Sequence, residues 1–173
     1  MPEYYVSLVK EYLEMQGFIV KTETKYKKEK NWGDIDILAI KIKNGKIVEF
    51  IVGEVKGEYK TPKEVRKINE EKFENPFVKQ KLKELFGSTK YKKYLYCWSW
   101  TSKSIETAKE LGITPVSFTE IINYMLEKVK EHKGWFYIND YPNLMLLQFL
   151  QSQKYIKQAL QPNSSSGSVQ FQS

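Results

Sequence analysis

The chain has 173 residues, 41% of them hydrophobic, and a formal net charge of +7 from 28 Lys and Arg against 21 Asp and Glu. That length fits one domain with a real core, and the charge permits contact with nucleic acid or an acidic surface without requiring it. One cysteine, Cys97, and one histidine, His132, exclude an internal disulfide, any two-histidine mechanism and a zinc site built from Cys and His.

The opening, MPEYYVSLVKEYL, lacks the apolar core of a signal peptide, and no run of about 20 apolar residues follows that could span a membrane. An intracellular, cytoplasmic location without a membrane partner is therefore expected. The dense Lys and Glu content suits a thermophile or an AT-rich genome. Tyr5, Leu8, Val9, Tyr12 and Leu13 fall on one helical face, which Gly17 closes. FIVKTETKY reads as a strand and leads into a basic loop, Lys25 to Trp32. Two apolar strands follow, about Ile35 to Lys43 and Ile47 to Gly57, joined across the hairpin signal Asn44-Gly45.

Thr61-Pro62-Lys63-Glu64 has capping-box spacing with proline at the first helical position, predicting a helix to about Glu74. NPF interrupts it before a second helical stretch, Val78 to Phe86, which stops at Gly87. YLYCWSW reads as a strand whose Tyr96, Trp98 and Trp100 share a core face. SIETAKELG is a helix, ITPVSF a short strand, and TEIINYMLEKVKEHKG a helix whose C-terminal dipole His132 complements. Leu144 to about Leu160 looks helical and is left either to pack on the domain or to mediate a homodimer. The expectation is a single domain over residues 1–160, with a core of about 3–132 and a helical extension of about 143–160. The uncharged Ser/Gly/Gln-rich residues 161–173 cannot build a core and read as a flexible tail, native or left by cloning.

Only three of the acidic residues are aspartates, and two of them, Asp34 and Asp36, stand at the mouth of the first apolar strand. The second strand ends in Glu54-Val55-Lys56. Side chains two apart share a strand face, so Glu54 and Lys56 point the same way. A two-residue turn that pairs Lys43 with Lys46 sets Asp36 opposite Gly53. One more residue in the loop pairs Lys43 with Ile47, and then Asp36 faces Glu54, Leu38 faces Val52, Ile40 faces Phe50 and Ile42 faces Val48. The hydrophobic pattern selects this second register. Opposed side chains then lie roughly 5 Å apart at Cβ, close enough to share a cation. Two such carboxylates repel unless a proton or cation lies between them. Oxygen donors with open positions suit Mg²⁺ or Mn²⁺, and Lys56 can hold the attacking water or offset phosphate charge. The chemistry implied is metal-assisted phosphodiester hydrolysis.

Gly33-Asp34-Ile35-Asp36 before an apolar strand, and Glu54-Val55-Lys56 closing the next, resemble the PD-(D/E)XK nuclease superfamily. The nearest look is to its restriction-endonuclease-like and archaeal Holliday-junction-resolvase branches. The resemblance covers most of residues 3–127 and extends to YLYCWSWTSKSIETAKELGITPVSFTEII, similar to the family's closing strand–helix–strand–helix. It implies an α/β fold, a central mixed sheet flanked by helices, here with an extra C-terminal helix. It also implies Asp36 as metal-binding aspartate, Glu54 as second ligand, Lys56 as catalytic lysine and the Val55 carbonyl as a further metal oxygen. One departure stands out: many members carry a glutamate on the first helix where this chain has Val6, and Glu3, one turn earlier, is the available substitute.

Asp34, after a glycine, reads as a turn residue or as a further ligand. Lys25, Lys27, Lys28 and Lys30, with Lys90, Lys92 and Lys93, read as solvated surface or as phosphate contacts, with Tyr26, Trp32 and Tyr91 available for stacking. The function expected is a Mg²⁺- or Mn²⁺-dependent nuclease, an endonuclease on DNA first of all. The rivals are a catalytically inactive nucleic-acid-binding module of the same fold and a small assembly or regulatory protein using the C-terminal helix.

Overall fold

The computed structural model describes residues 3–58, 60–131 and 141–151. The elements run α1 (Glu3–Met15), β1 (Ile19–Lys27), β2 (Trp32–Lys43), β3 (Lys46–Val55), α2 (Pro62–Ile68), a π-helical turn (Asn69–Phe73), α3 (Pro76–Phe86), β4 (Lys92–Cys97), α4 (Ser102–Glu110), β5 (Ile113–Ser117), α5 (Phe118–Glu131) and α6 (Pro142–Gln151). Backbone contacts divide the chain into two compact units, Met1–Met125 and Leu126–Ser173. The boundary falls inside α5, a little short of the expected end of the core. α6 belongs to the second unit. Residues 152–173, with the rest of the expected C-terminal helix and the tail, and residues 132–140, with His132, lie outside the described residues.

The first unit is α/β. Its five strands lie in sequence order, β1 to β3 antiparallel and β3 to β5 parallel, so the sheet is mixed. Helices flank it, in keeping with a restriction-endonuclease-like fold. On one face Leu38, Phe50, Val52 and Leu95 pack with Val65, Ile68, Phe73, Val78, Leu82 and Ala108 of α2, the π turn, α3 and α4. α1 packs against β1, β2 and β3. Its Tyr5 stacks on Phe118 with ring centroids 4.9 Å apart, and its Tyr12 meets Tyr124 edge-on at 5.2 Å. Val6 is buried in the α1 stripe beside Val9 and Leu13.

Local chemistry sets the boundaries. Thr61 caps α2 and Glu64 answers to the Thr61 N–H at 2.9 Å, a complete capping box with Pro62 at the start. The helix expected to run unbroken to Glu74 changes to a π turn at Asn69. Asn75 caps α3 by accepting from the Phe77 N–H at 2.9 Å, and Gly87, at φ 67, ends it. Two expectations need correction. The basic loop is short, residues 28–31, because β1 continues through Lys27 and β2 already begins at Trp32. β4 ends at Cys97, so Trp98 and Trp100 do not continue the face of Tyr96: Trp98 donates from Nε1 to the Tyr5 hydroxyl at 2.9 Å, while Trp100 packs on the α2–α4 side.

The β2–β3 hairpin combines the two registers read from the sequence. At its tip Asn44 and Gly45, at φ 53 and 72, make the two-residue turn, so Lys43 pairs with Lys46 and Ile42 with Ile47. A bulge at Val48 then admits the extra residue into β3. Beyond it Lys41 pairs with Glu49, Ile40 with Phe50 and Leu38 with Val52. The extra residue expected in the loop sits in the strand, and Ile42 does not face Val48. The register toward the base of the hairpin is the one the apolar rows demand.

Candidate active site

Continued past the Ile37–Gly53 pair, that register sets Asp36 opposite Glu54 at one end of the sheet. Both carboxylates are buried, 8% and 2% exposed. Asp36 is fixed by backbone: its Oδ2 accepts the Val55 N–H at 2.8 Å. Glu54 is fixed by cations. Lys56 Nζ donates to Glu54 Oε1, and Lys72 Nζ lies 3.2 Å from the same oxygen. Gly53, between them in sequence, is needed for close packing. A Cβ there would stand 2.9 Å from Cε2 of the buried Tyr96 ring and 3.0 Å from Ile37 Cβ.

Lys72 is the residue the sequence reading missed. It arrives from the π turn, half-buried, and also donates to the Asp34 carbonyl at 3.1 Å and lies 3.6 Å from Asp34 Oδ1. A signal was present. Val65, Ile68, Asn69 and Lys72 follow i, i+3, i+4, i+7, so a lysine stands on the buried stripe of a helix. Asp34 is not a turn residue: it lies within β2, paired with Lys25 across the ladder. It anchors Lys72, and Lys25 approaches its Oδ2 at 3.9 Å.

Burial pushes the Glu54 carboxyl above the ordinary carboxylate range, and the Asp36 charge adds to it, while Lys56 and Lys72 pull the other way. Burial alone would lower the Lys72 ammonium, but Glu54 and Asp36 outweigh it and raise it. Burial would also raise Asp34, yet Lys72 and Lys25 bring it below the usual range. Lys56 and Lys72 thus face the carboxylates of Asp34, Asp36 and Glu54, with Lys25 at the margin. The donors are hard oxygens and the local balance is short of positive charge, which fits a small divalent cation. Asp36, Glu54 and the Val55 carbonyl are the groups that would hold it. Among the described residues no group of three or more His, Cys, Asp or Glu side chains gathers as a metal cage. Water and substrate oxygens would have to complete the shell, which Mg²⁺ tolerates.

Glu3 takes another place. It borders a cavity of about 260 Å³ with Val6, Ser7, Thr22 and Glu23, and no hydrogen bond or ion pair joins it to Asp36 or Glu54 among the described residues. Glu23 lies opposite Asp36 in the β1–β2 register, at φ 50, where the ladder skips one pair. A non-glycine residue in this left-handed region is strained.

Neither a family model nor a curated protein matches the chain. Among solved structures it is similar to one described as the crystal structure of a protein of unknown function, AF1548. The identity is 16%, over 78% of this chain and 67% of that one, with a TM-score of 0.46. So faint a likeness carries no argument for fold or activity.

The two basic runs separate. Lys25 and Lys27 pair with Asp34 and Trp32, on the carboxylate side of the sheet. Lys92 pairs with Ile51, toward the other end of β3. Lys92 is engaged with Glu49 at 2.7 Å. Lys93 is tied to Glu74, to Asn69 Oδ1 at 3.1 Å and to the Leu111 carbonyl at 3.2 Å. Lys93 is thereby tied into the fold, Lys92 keeps an exposed side chain, and Lys90 alone of that run has no ion pair among the described residues. The Tyr91 hydroxyl donates to the Phe73 carbonyl, which takes it out of any stacking role. Cys97 is buried, its thiol pushed up to about 12 by that burial, so it is no nucleophile.

Proposed function

We propose that the chain is a metal-dependent nuclease of the PD-(D/E)XK kind, hydrolysing phosphodiester bonds, and first of all an endonuclease on DNA. The observation that carries this reading is the opposed, buried pair Asp36 and Glu54 at a sheet end, with Lys56, the residue just past the end of β3, donating to Glu54. Burying two carboxylates side by side is costly without a cation to share, and nothing in the packing of a plain core calls for it.

Asp36, Glu54 and the Val55 carbonyl hold Mg²⁺ or Mn²⁺ in this reading. Such an ion polarises a phosphoryl oxygen and makes bound water acidic. The chain's own residues supply the rest. The Val55 N–H keeps the Asp36 carboxylate aimed. Lys72 keeps a positive charge on Glu54 Oε1. Because two ammonium groups address that one oxygen, Lys56 can leave it for the substrate without abandoning a buried carboxylate. Its Nζ then donates to a phosphate oxygen or orients the attacking water.

Incubating the purified chain with labelled duplex, junction, flap and single-stranded DNA and with RNA tests the reading, in Mg²⁺, Mn²⁺ or EDTA. Cleavage that needs the metal and disappears in Asp36→Asn is the expected result. Binding without cutting of any substrate would transfer the site to the rival reading, an inactive nucleic-acid-binding module. Two observations favour that rival: a buried Val6 stands on the first helix where a glutamate is expected, and two lysines already face the Glu54 carboxylate.

A further inference from the structure

A groove of about 300 Å³ lies beside the carboxylate end of the sheet, lined by β1, the start of β2 and α3. Trp32 stands in its wall with 67% of its surface exposed, although Phe77 and Tyr26 line the same groove. Lys25, Lys27 and Lys81 supply positive charge around the indole. Lys27 makes no ion pair among the described residues, whereas Lys81 shares Glu84 at 3.3 Å, an oxygen pair that the Gln80 amide also reaches at 3.4 Å. Tyr26 is 1% exposed, and its hydroxyl has no hydrogen-bond partner among the described residues. Its ring lies so close to the chain that a Cβ at Gly33 would meet Cζ at 2.5 Å. Trp32 is two residues from Asp34 and four from Asp36 on one strand, so by the strand rise it sits about 7 Å and about 13 Å from them along the backbone.

An exposed indole ringed by ammonium groups and set a short step from phosphodiester chemistry matches the two faces of a nucleotide, an aromatic base and a charged backbone. The concavity matters as well. In a duplex the base faces are covered by their neighbours, and only an unpaired or splayed base can present one to a side chain. We propose that this groove receives one unstacked base of a single-stranded segment, with Trp32 stacking on it. Lys25, Lys27 and Lys81 hold the flanking phosphates, and the adjoining strand is led toward Asp36 and Glu54. This rests on the nuclease reading and narrows it: the preferred substrate carries an unpaired stretch next to the bond that is cut.

Binding tests this without cleavage. The full-length Asp36→Asn chain is titrated, by fluorescence anisotropy, into labelled oligothymidylate, oligouridylate and a blunt duplex of equal length. Adding Trp32→Ala is expected to weaken both single strands about 5- to 100-fold, the scale of one lost base stack, and the duplex by less than about twofold. Trp32→Phe is expected to recover most of the loss, and Lys27→Ala to reduce the steepness of the salt dependence. A weakening confined to one sugar would assign the groove to DNA or to RNA. Exposure of Trp32 means the variant keeps its fold, and an unchanged melting temperature verifies it. Equal losses on single strand and duplex, or none, would overturn the groove proposal while cleavage by the wild type leaves the nuclease reading standing. Failure of the parent to bind either single strand would likewise overturn the groove proposal, whereas the nuclease reading falls only if the wild type cuts no substrate of the wider panel.

Discussion

The two ends of the β2–β3 hairpin invert the usual rule of burial. At the tip Ile42, Ile47 and Val48 are 48%, 48% and 57% exposed, while at the base Asp36 and Glu54 are 8% and 2% exposed. The tip runs out past the packed core, so its geometry follows from backbone chemistry: an Asn-Gly turn with both residues at positive φ, then a bulge. The base lies within the packed unit and carries buried charge, of a kind that well-packed apolar residues of similar size often replace without loss of stability. Stability is thus spent at one end of the hairpin and of little consequence at the other. That asymmetry is what a functional site leaves in a fold.

The strongest way to break the comparison is to remove charge from the base. Asp36→Asn keeps an oxygen for the Val55 N–H, and Glu54→Gln keeps one for Lys56 and Lys72, so both variants should remain folded by circular dichroism. On the nuclease reading, metal-dependent cleavage should fall on the order of a thousandfold or more, since each variant would lose a ligand to an ion worth several kcal/mol at the transition state. Equal cutting by Asp36→Asn and wild type would remove the base from the chemistry altogether.

The two lysines should separate next. Lys56→Ala should slow the chemical step by roughly a hundredfold with metal affinity nearly unchanged, in the range of a lost proton-transfer or orienting group. Lys72→Met should act through pH. Lys72 pulls the Glu54 carboxyl down against burial and Asp36, so its removal moves that carboxyl further up. The acid limb of the pH–rate profile should then shift to higher pH, with the rate recovering above it. A uniform loss at all pH values would instead place Lys72 on the substrate.

Packing at the base should show in stability. Gly53→Ala forces a methyl to within 2.9 Å of the buried Tyr96 ring, and overpacking of this kind costs about 1–3 kcal/mol. Urea unfolding measures it, and cleavage should drop as well because Glu54 adjoins the displaced backbone.

Much of this was legible in residue order. Near-continuous β-branched apolar runs on either side of Asn44-Gly45 identified the strands, and matching their rows aligned Asp36 with Glu54. Thr61, Pro62 and Glu64 announced α2. The bulge was not legible, because Val48 is as apolar as its neighbours and only a mismatch between turn and core register reveals it. Lys72 escaped because the helix was placed from its capping box and proline alone, which say nothing of the face each later residue presents. The end of β4 was misplaced because Trp98 and Trp100 continue a period-two aromatic pattern, although the strand stops at Cys97 and each indole packs with a different set of residues. Alternation shows which residues dislike water, not where hydrogen-bonded pairing ends.

The smallest effects are expected at the tip, and they decide whether the bulge serves the site. Deleting Val48 would make the Ile42–Ile47 and Lys41–Glu49 pairs consecutive in a regular ladder, without moving Leu38 from Val52 or Asp36 from Glu54. The residue removed is 57% exposed, so little packing is lost, and the change in unfolding free energy should stay within about 1 kcal/mol. Cleavage should stay within about twofold of the wild type, because the register at the base is set by the apolar rows rather than by the turn. Bulges also add right-handed twist to the strand that carries them. Should the deletion abolish cleavage while the chain remains folded, that twist, propagated along β3 to Glu54, would be part of what sets the two carboxylates against each other, and the tip could no longer be treated as independent of the base.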